Sequence, residues 1–284
     1  MAKSDEKTLS FVMLGDIVGR SGRMAVEQQI PAIRERWNPD LIIANAENSA
    51  QGQGLTPKQY TRLCRIGIDA MTLGDHVYKR VQIVQTLEAE SNIIRPANLA
   101  DGAKGKRWMR VTSKDEDGEE RGLPNIYVIT VLGRVFMSLP ANDPFATVDQ
   151  IIKELPEVDP IVLVEVHAEA TSEKQAMGWH LDGRASAVLG THTHVPTADA
   201  RILPNGTAFM CDIGMCGPHD SVIGRRHDRV LTYMTTAMPA PFDVSEENPR
   251  VNGAYVEIDV ETRRARKIEQ VQLAADPNKP PFVA

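Results

Sequence analysis

Two of the seven histidines, His192 and His194, stand one residue apart in "AVLGTHTH", at the end of an apolar run. Other apolar runs end in residues that ligate metals or move protons. Asp16 follows "FVMLG", Glu47 and Asn48 follow "LIIANA", Asp75 and His76 follow "AMTLG", and His167 follows "IVLVEV". In an extended segment residues two apart share a face, whereas on a helix they point about 200° apart. An extended His192–Thr193–His194 segment is therefore expected, with the two imidazoles straddling a pair of cations. Imidazole nitrogens, carboxylates and an amide oxygen, with no thiolate demanded, suit manganese, iron or zinc better than calcium or an iron–sulfur cluster. A carboxylate bridging two ions about 3.5–4 Å apart is the geometry of metal-assisted phosphoryl chemistry.

The elements that must position these residues follow from the runs themselves. Residues 11–16, 41–48, 70–76, 161–169, 187–194 and 208–214 each read as a buried strand. Between them lie helical segments. Residues 23–37 place Met24, Val26, Ile30, Ile33 and Trp37 near helical spacing, with Pro31 expected to kink the helix or mark a later start. Residues 56–67 open on Thr56 as N-cap with proline at the first helical position and end on Gly67. Residues 80–91 and 172–183 supply two more helices. Strands alternating with helices make βαβ units, and in open α/β sheets ligands bind beyond the carboxyl ends of the strands. Five separate segments thus aim their polar ends at one place. Hairpins at Asn205–Gly206 and around Thr262 give the second half a strand-rich character, so an α/β fold with a mixed sheet or a sheet pair is expected.

The chain reads as one domain over 1–284, with the charged, glycine-rich stretch 100–122 as a surface excursion and 276–284 as an extended tail. Its formal net charge of -6 gives no help to binding a long polyanion, so no long nucleic acid is expected and a small phosphorylated substrate needs a local positive centre. Three cysteines without close pairing fit core thiols in a reducing compartment. No apolar run approaches the roughly 20 residues of a membrane span, and the opening "MAKSDEKTLS" lacks a secretory signal, so a cytoplasmic location away from membranes is expected. His180 reads as a surface or packing residue. His219 and His227 are read equally well as pocket lining or as ordinary turn residues. The glycines of "GDIVGRSGR" could bring backbone amides to a phosphate with Arg20 or Arg23 assisting, although they lack a P-loop lysine. "RRARK" at 263–267 reads as a solvated strand end.

Taken in order, "GDIVGRSGR", "NAENSAQGQGL", "LGDHVY", "VEVHAEATSEK" and "GTHTHVPTAD" resemble the YmdB-like branch of the calcineurin-like metallophosphoesterases. The resemblance implies two packed mixed β-sheets flanked by helices and a metal-dependent phosphodiesterase, with activity in this branch associated with 2′,3′-cyclic nucleotides. It implies two divalent or mixed-valence ions, manganese or iron foremost and zinc as an option. Asp16, Glu47, Asn48 and His194 would hold one, Glu47, Asp75, His167 and His192 the other, with Glu47 bridging. His76 would be the general acid or a transition-state donor, and a hydroxide bridging the ions the nucleophile. Two positions depart from the wider superfamily. Val18 stands where a histidine is usual, and Asp75 where asparagine is usual. The extra negative charge of Asp75 offsets more of the cations' charge, which keeps open a nucleotide-binding regulatory protein that does not turn its ligand over; a phosphomonoesterase is a second enzymatic reading. A homo-oligomer is also left open.

Overall fold

The computed structural model describes residues 8–113 and 119–278. Residues 114–118 of the charged stretch, 279–284 of the expected tail and the first seven residues lie outside them. In chain order the elements are β1 (Thr8–Leu14), β2 (Asp16–Ile17), α1 (Gly19–Trp37), β3 (Leu41–Asn45), α2 (Pro57–Arg65), β4 (Ala70–Thr72), α3 (Ile83–Ala89) and β5 (Ile93–Ile94). There follow β6 (Trp108–Val111), β7 (Ile126–Leu132), α4 (Pro144–Glu154), β8 (Ile161–His167), α5 (Thr171–Leu181), β9 (Ala187–Thr191), β10 (Arg201–Ile202) and β11 (Ala208–Met210). The chain closes with β12 (Met215–Pro218), α6 (His227–Thr236), β13 (Pro249–Asp259) and β14 (Ala265–Ala274).

Two mixed sheets result. The first runs β2-β12-β13-β1-β3-β4-β5, with β14 paired to β13, and the second runs β10-β11-β9-β8-β7-β6. β1, β3, β4 and β5 are mutually parallel, as are β7, β8, β9 and β11, so each sheet sends a row of carboxyl ends to one edge.

The period-two alternation of side chains explains how the sheets pack. In β1, Leu9, Phe11 and Met13 join Leu41, Ile43 and Ala70 against Val128, Leu163, Leu189 and Met210 of the other sheet. The alternate residues Val12, Leu14, Ile42 and Ala44 pack outward on Val26, Ile30 and Ile33 of α1 and Leu63 of α2. On the far side, Ile129, Val131, Val162, Val164 and Phe209 pack on Val148 and Ile151 of α4 and Met177 and Leu181 of α5. Strands covered on both faces read as near-continuous apolar runs. Toward the carboxyl ends the inner face turns polar: Asn45 follows Ile43, Thr130 follows Val128, Glu165 and His167 follow Leu163, and Thr191 follows Leu189, all fully buried. The interlayer core therefore gives way to a polar end.

Local chemistry fixes the helix boundaries. Thr56 accepts from the Gln59 amide while the Gln59 side chain accepts from the Thr56 amide, a reciprocal cap with Pro57 at the first helical position. α1 runs through Pro31, which lies on its exposed face, and ends at Asn38 in the left-handed region. The stretch 100–122 is more than an excursion. Trp108–Val111 pairs antiparallel with β7 and buries Met109 and Val111. Among the described residues no helix is long and apolar enough to cross a membrane.

Candidate metal centre

Side chains from both sheets meet at the polar end of the interlayer. The first sheet contributes Asp16 just past β1, Glu47 and Asn48 past β3, and Asp75 and His76 past β4; the second contributes His167 at the end of β8, with His192 and His194 past β9. Glu47, Asp75, His167 and His192 each offer one ligand atom within 4.8 Å of the others. His167 Nε2 lies 3.0 Å from Asp75 Oδ1, 3.3 Å from Glu47 Oε1 and 3.1 Å from His192 Nδ1. Beside this group, Asn48 Nδ2 lies 3.1 Å from His194 Nε2 and 3.4 Å from Glu47 Oε1, and Asp16 Oδ1 is 4.0 Å from His194 Nε2. Glu47 thus stands between two clusters. His76 donates its backbone N–H to Glu47 Oε2 at 2.9 Å and holds Nδ1 2.7 Å from Asn48 Oδ1.

The histidine pair reaches the site in a way that extended backbone does not explain. β9 ends at Thr191, and His192 and His194 have φ of 92° and 66°. That region is sparsely populated by residues bearing a Cβ, and such strain persists only where the surroundings over-determine it. Here the His192 amide donates to Asp16 Oδ2 at 3.1 Å, and His194 Nδ1 donates to the Ile223 carbonyl at 2.9 Å. Between them, the amide and hydroxyl of Thr193 both donate to Asp212 Oδ2, at 3.2 and 2.6 Å. Lys174 Nζ donates to the same oxygen at 2.7 Å, and both side chains of this ion pair are 1% exposed.

A second buried network orients His167. Glu165, on the same face of β8, accepts from Asn45 Nδ2 at 2.7 Å, Thr130 Oγ1 at 2.8 Å and Thr191 Oγ1 at 2.8 Å. Since the Thr191 proton is given to Glu165, its oxygen accepts from His167 Nδ1 at 2.9 Å. The imidazole is thereby locked with Nδ1 protonated and Nε2 aimed at Glu47 and Asp75, the arrangement by which an outer partner prepares a ligating histidine. Sequence patterning passes over Asn45, Thr130, Glu165 and Thr191, and also over Lys174 and Asp212. The signals were an acidic residue within the alternating run Ile161–Leu163–Glu165–His167, and a lysine in the buried stripe Lys174–Met177–Gly178–Leu181 of α5.

Charge distribution shows what the site lacks. Burial pushes the Asp16 carboxyl up to about 7 despite the neighbouring His167 charge. Burial also raises Glu47 and Asp75, but His167 overcomes it in both, helped by His76 for Glu47 and by His192 for Asp75, and holds each well below the usual carboxylate range. His167 is itself raised well above an ordinary imidazole, because Glu47, Asp75 and Asp16 outweigh its burial. His194 is lowered by burial, whereas His76 is raised by Glu47 against its burial. Fully buried Asp16 Oδ1 has no hydrogen-bond partner. A Cβ on Gly74 would overlap His167 Nε2 and Glu47 Oε2, so only glycine lets Asp75 enter this cradle. Three carboxylates, imidazoles and an amide, with an orphaned buried oxygen, fit hard or borderline divalent cations.

The remaining histidines stand apart. His180 Nε2 pairs with Asp149 at 2.8 Å on the helical face of the second sheet. His219 accepts from Asn252 Nδ2 at 2.8 Å and gives its Nδ1 proton to the Gly217 carbonyl, while exposed His227 opens α6. The glycines of "GDIVGRSGR" serve close backbone approach: a Cβ on Gly15 or Gly22 would overlap the carbonyl of Gly214 or Cys216. Arg23 spends its guanidinium on the carbonyls of Gly19 and Ser49.

Comparison with known proteins matches residues 12–271 to the model of the YmdB-like protein family. A Bacillus subtilis (strain 168) protein named 2′,3′-cyclic-nucleotide 2′-phosphodiesterase is 40% identical over 268 residues, 94% of this chain and 98% of its own length. A solved structure of a hypothetical protein from Thermus thermophilus superposes with TM-score 0.84 at 39% identity, covering 94% of this chain and 100% of the other. One described as a novel phosphatase from Mycoplasma pneumoniae superposes with TM-score 0.86 at 30% identity, covering 95% and 94%.

Proposed function

Because this chain belongs to the YmdB-like family, we propose that it is a metal-dependent phosphodiesterase hydrolysing small phosphodiesters, 2′,3′-cyclic nucleotides foremost. One observation carries the reading: five separated segments bring carboxylates, imidazoles and an amide into one buried centre with Glu47 between two clusters. Asp16, Glu47, Asn48 and His194 are the residues that would hold one ion; Glu47, Asp75, His167 and His192 would hold the other. Manganese or iron suits this set best, with zinc next. Bound there, the ions supply positive charge that polarises a phosphoryl oxygen and acidifies water.

The chain's own residues do the rest. Thr191 and Glu165 keep His167 in one tautomer, and Asp212 with Lys174 holds the loop that presents His192 and His194. His76 is 22% exposed and faces the opening of the centre more than His167 does. With Nδ1 donating to Asn48 Oδ1, its Nε2, 3.8 Å from Asp75 Oδ2, is the atom that would give a proton to the departing ribose oxygen. The centre draws on both sheets, which favours reading the chain as a single domain. The three cysteines are unpaired thiols, which favours a cytoplasmic place of work.

The test is turnover of 2′,3′-cyclic AMP, with bis-p-nitrophenyl phosphate against p-nitrophenyl phosphate, each with manganese added. Faster turnover of the diester is expected. His76→Ala should retain its metal and lose about 10²–10⁴-fold in kcat; equal kcat removes His76 from proton transfer. Preference for the monoester, or nucleotide binding without product, contradicts the phosphodiesterase.

A further inference from the structure

Beside the metal centre lies a cleft of about 1210 Å³, larger than the roughly 300–1,000 Å³ of a site for one drug-sized molecule. Arg20, Arg23, Lys58, Lys79, Arg80 and Arg225 line it. Against these six basic residues stand Asp243 and Glu246, a local excess of positive charge in a chain whose formal net charge is -6. Three of the arginines are fixed in place by a single loop. Arg23 donates to the Ser49 carbonyl, Arg80 to that of Ala50 at 3.3 Å, and Arg225 to that of Gly52 at 2.8 Å. Neutral carbonyls anchor these guanidiniums without cancelling their charge. Arg20, Lys58 and Lys79 are exposed, and Arg20 pairs with Glu246 at a loose 4.0 Å.

Two further features define what the cleft would take. α1 and α2 both begin in its wall, at Gly19 and Pro57, and helix N-termini favour anions. Tyr78 and Phe242 also line it, with Phe242 43% exposed. Distributed cations with interleaved aromatic faces are the make-up of a single-strand nucleic-acid groove, in which phosphates meet charge and bases stack. The cleft is continuous in chain with the centre: Ala50 and Gln51 follow Asn48 closely, and Tyr78 follows His76.

We infer that this cleft binds the phosphate chain of a short single-stranded oligoribonucleotide whose 3′-terminal cyclic phosphate reaches the metal centre, an inference that rests on the phosphodiesterase reading above. The chemistry of such an end is consistent with this. A 2′,3′-cyclic phosphate forms when a ribose 2′-oxygen bonds to the adjacent phosphorus, the bond to the next nucleotide's 5′-oxygen breaks, and the 2′ proton passes to that leaving oxygen. The upstream fragment keeps the cyclic end and all its other phosphates, so the reaction class supplying this substrate is metal-independent RNA cleavage through the 2′-hydroxyl.

The experiment titrates the metal-loaded protein into a 5′-labelled, 2′-O-methylated five-nucleotide RNA and reads fluorescence anisotropy across a salt series. Lys58→Glu/Lys79→Glu should weaken binding at least tenfold and reduce the salt slope by about 1.4, at about 0.7 per lost phosphate contact. Lys153→Glu/Lys267→Glu, the same charge change at exposed positions outside the cleft, should cost less than threefold. Lys58→Gln/Lys79→Gln, a milder change, should fall between wild type and the cleft charge reversal. No binding by wild type, equal losses in both charge reversals, or an unchanged slope overturns the inference. Displacement of the RNA by tripolyphosphate at an equal or lower concentration overturns it too, assigning the cleft to bare phosphates. Turnover of 2′,3′-cyclic AMP by wild type is measured in parallel. RNA binding without that turnover overturns the phosphodiesterase reading and the substrate assignment built on it, whereas turnover without RNA binding overturns the cleft alone.

Discussion

Replacing Lys174 with methionine tests whether a buried charge pair shapes the histidine loop. Lys174 Nζ lies 2.7 Å from Asp212 Oδ2, with both side chains 1% exposed. Methionine keeps most of the volume, so the change isolates the charge. Removing one partner of a buried pair leaves the other uncompensated, a cost of about 3–5 kcal/mol. The same carboxylate oxygen accepts both Thr193 donors, and it offsets left-handed backbone at His192 and His194 that costs about 1–3 kcal/mol per residue. At about 2–4 °C per kcal/mol for a chain of this size class, the melting temperature should fall by about 6–20 °C. Thermal melts give the stability and manganese titration gives the affinity, which should drop at least tenfold because the loop carries two of the candidate ligands. Lys174→Met/Asp212→Asn should recover part of the stability, because no unpaired charge remains. A single variant melting within about 2 °C of wild type, or a double variant no better than the single, refutes the reasoning.

Two further outcomes follow from the site and the core. Asp75→Asn removes one negative charge that lies 3.0 Å from His167 Nε2; it should bind manganese less tightly and turn over faster per ion bound, and tighter binding in a metal titration contradicts the charge argument. Burial pushes the thiol of Cys211 up to about 11 and that of Cys216 up to about 12, so neither should react promptly with a thiol reagent at pH 8 while folded, though all three cysteines should do so in urea. Both folded values lie above the ordinary thiol value of 9.0, so the stability they contribute is intact below about pH 9 and declines as pH rises toward 11; a urea midpoint higher at pH 10 than at pH 8 reverses that sign.

The sequence makes the candidate centre legible because Asp16, Glu47, Asp75, His167 and His192 interrupt apolar runs at their carboxyl ends, where the loops of a doubly covered parallel sheet converge. The two-sheet fold follows from the family resemblance, whereas the patterning of the runs leaves a single mixed sheet equally open. Where patterning falls short, the cause is physical. Ile126–Leu132 is a mostly apolar run, broken by Thr130 and without a charged terminus, which periodicity alone does not separate from a buried helix. α4 carries a readable start, Asp143 capping the amides of Phe145 and Ala146 before Pro144 sets the first turn, but its stripe is short. The left-handed backbone at His192 and His194 depends on Asp212 and Asp16, partners distant in sequence, and no local pattern encodes them. The basic cleft is likewise assembled from segments spread from Gly19 to Glu246.

The central claim is that Glu47 is shared between two metal ions held by side chains from both sheets. A crystal grown with manganese and measured for anomalous scattering tests it most directly. The account predicts two peaks about 3.5–4 Å apart, with a Glu47 oxygen ligating both ions, His194 reaching one and His167 the other. No peak beside Glu47, or a single ion bound away from His167 and His194, would contradict it.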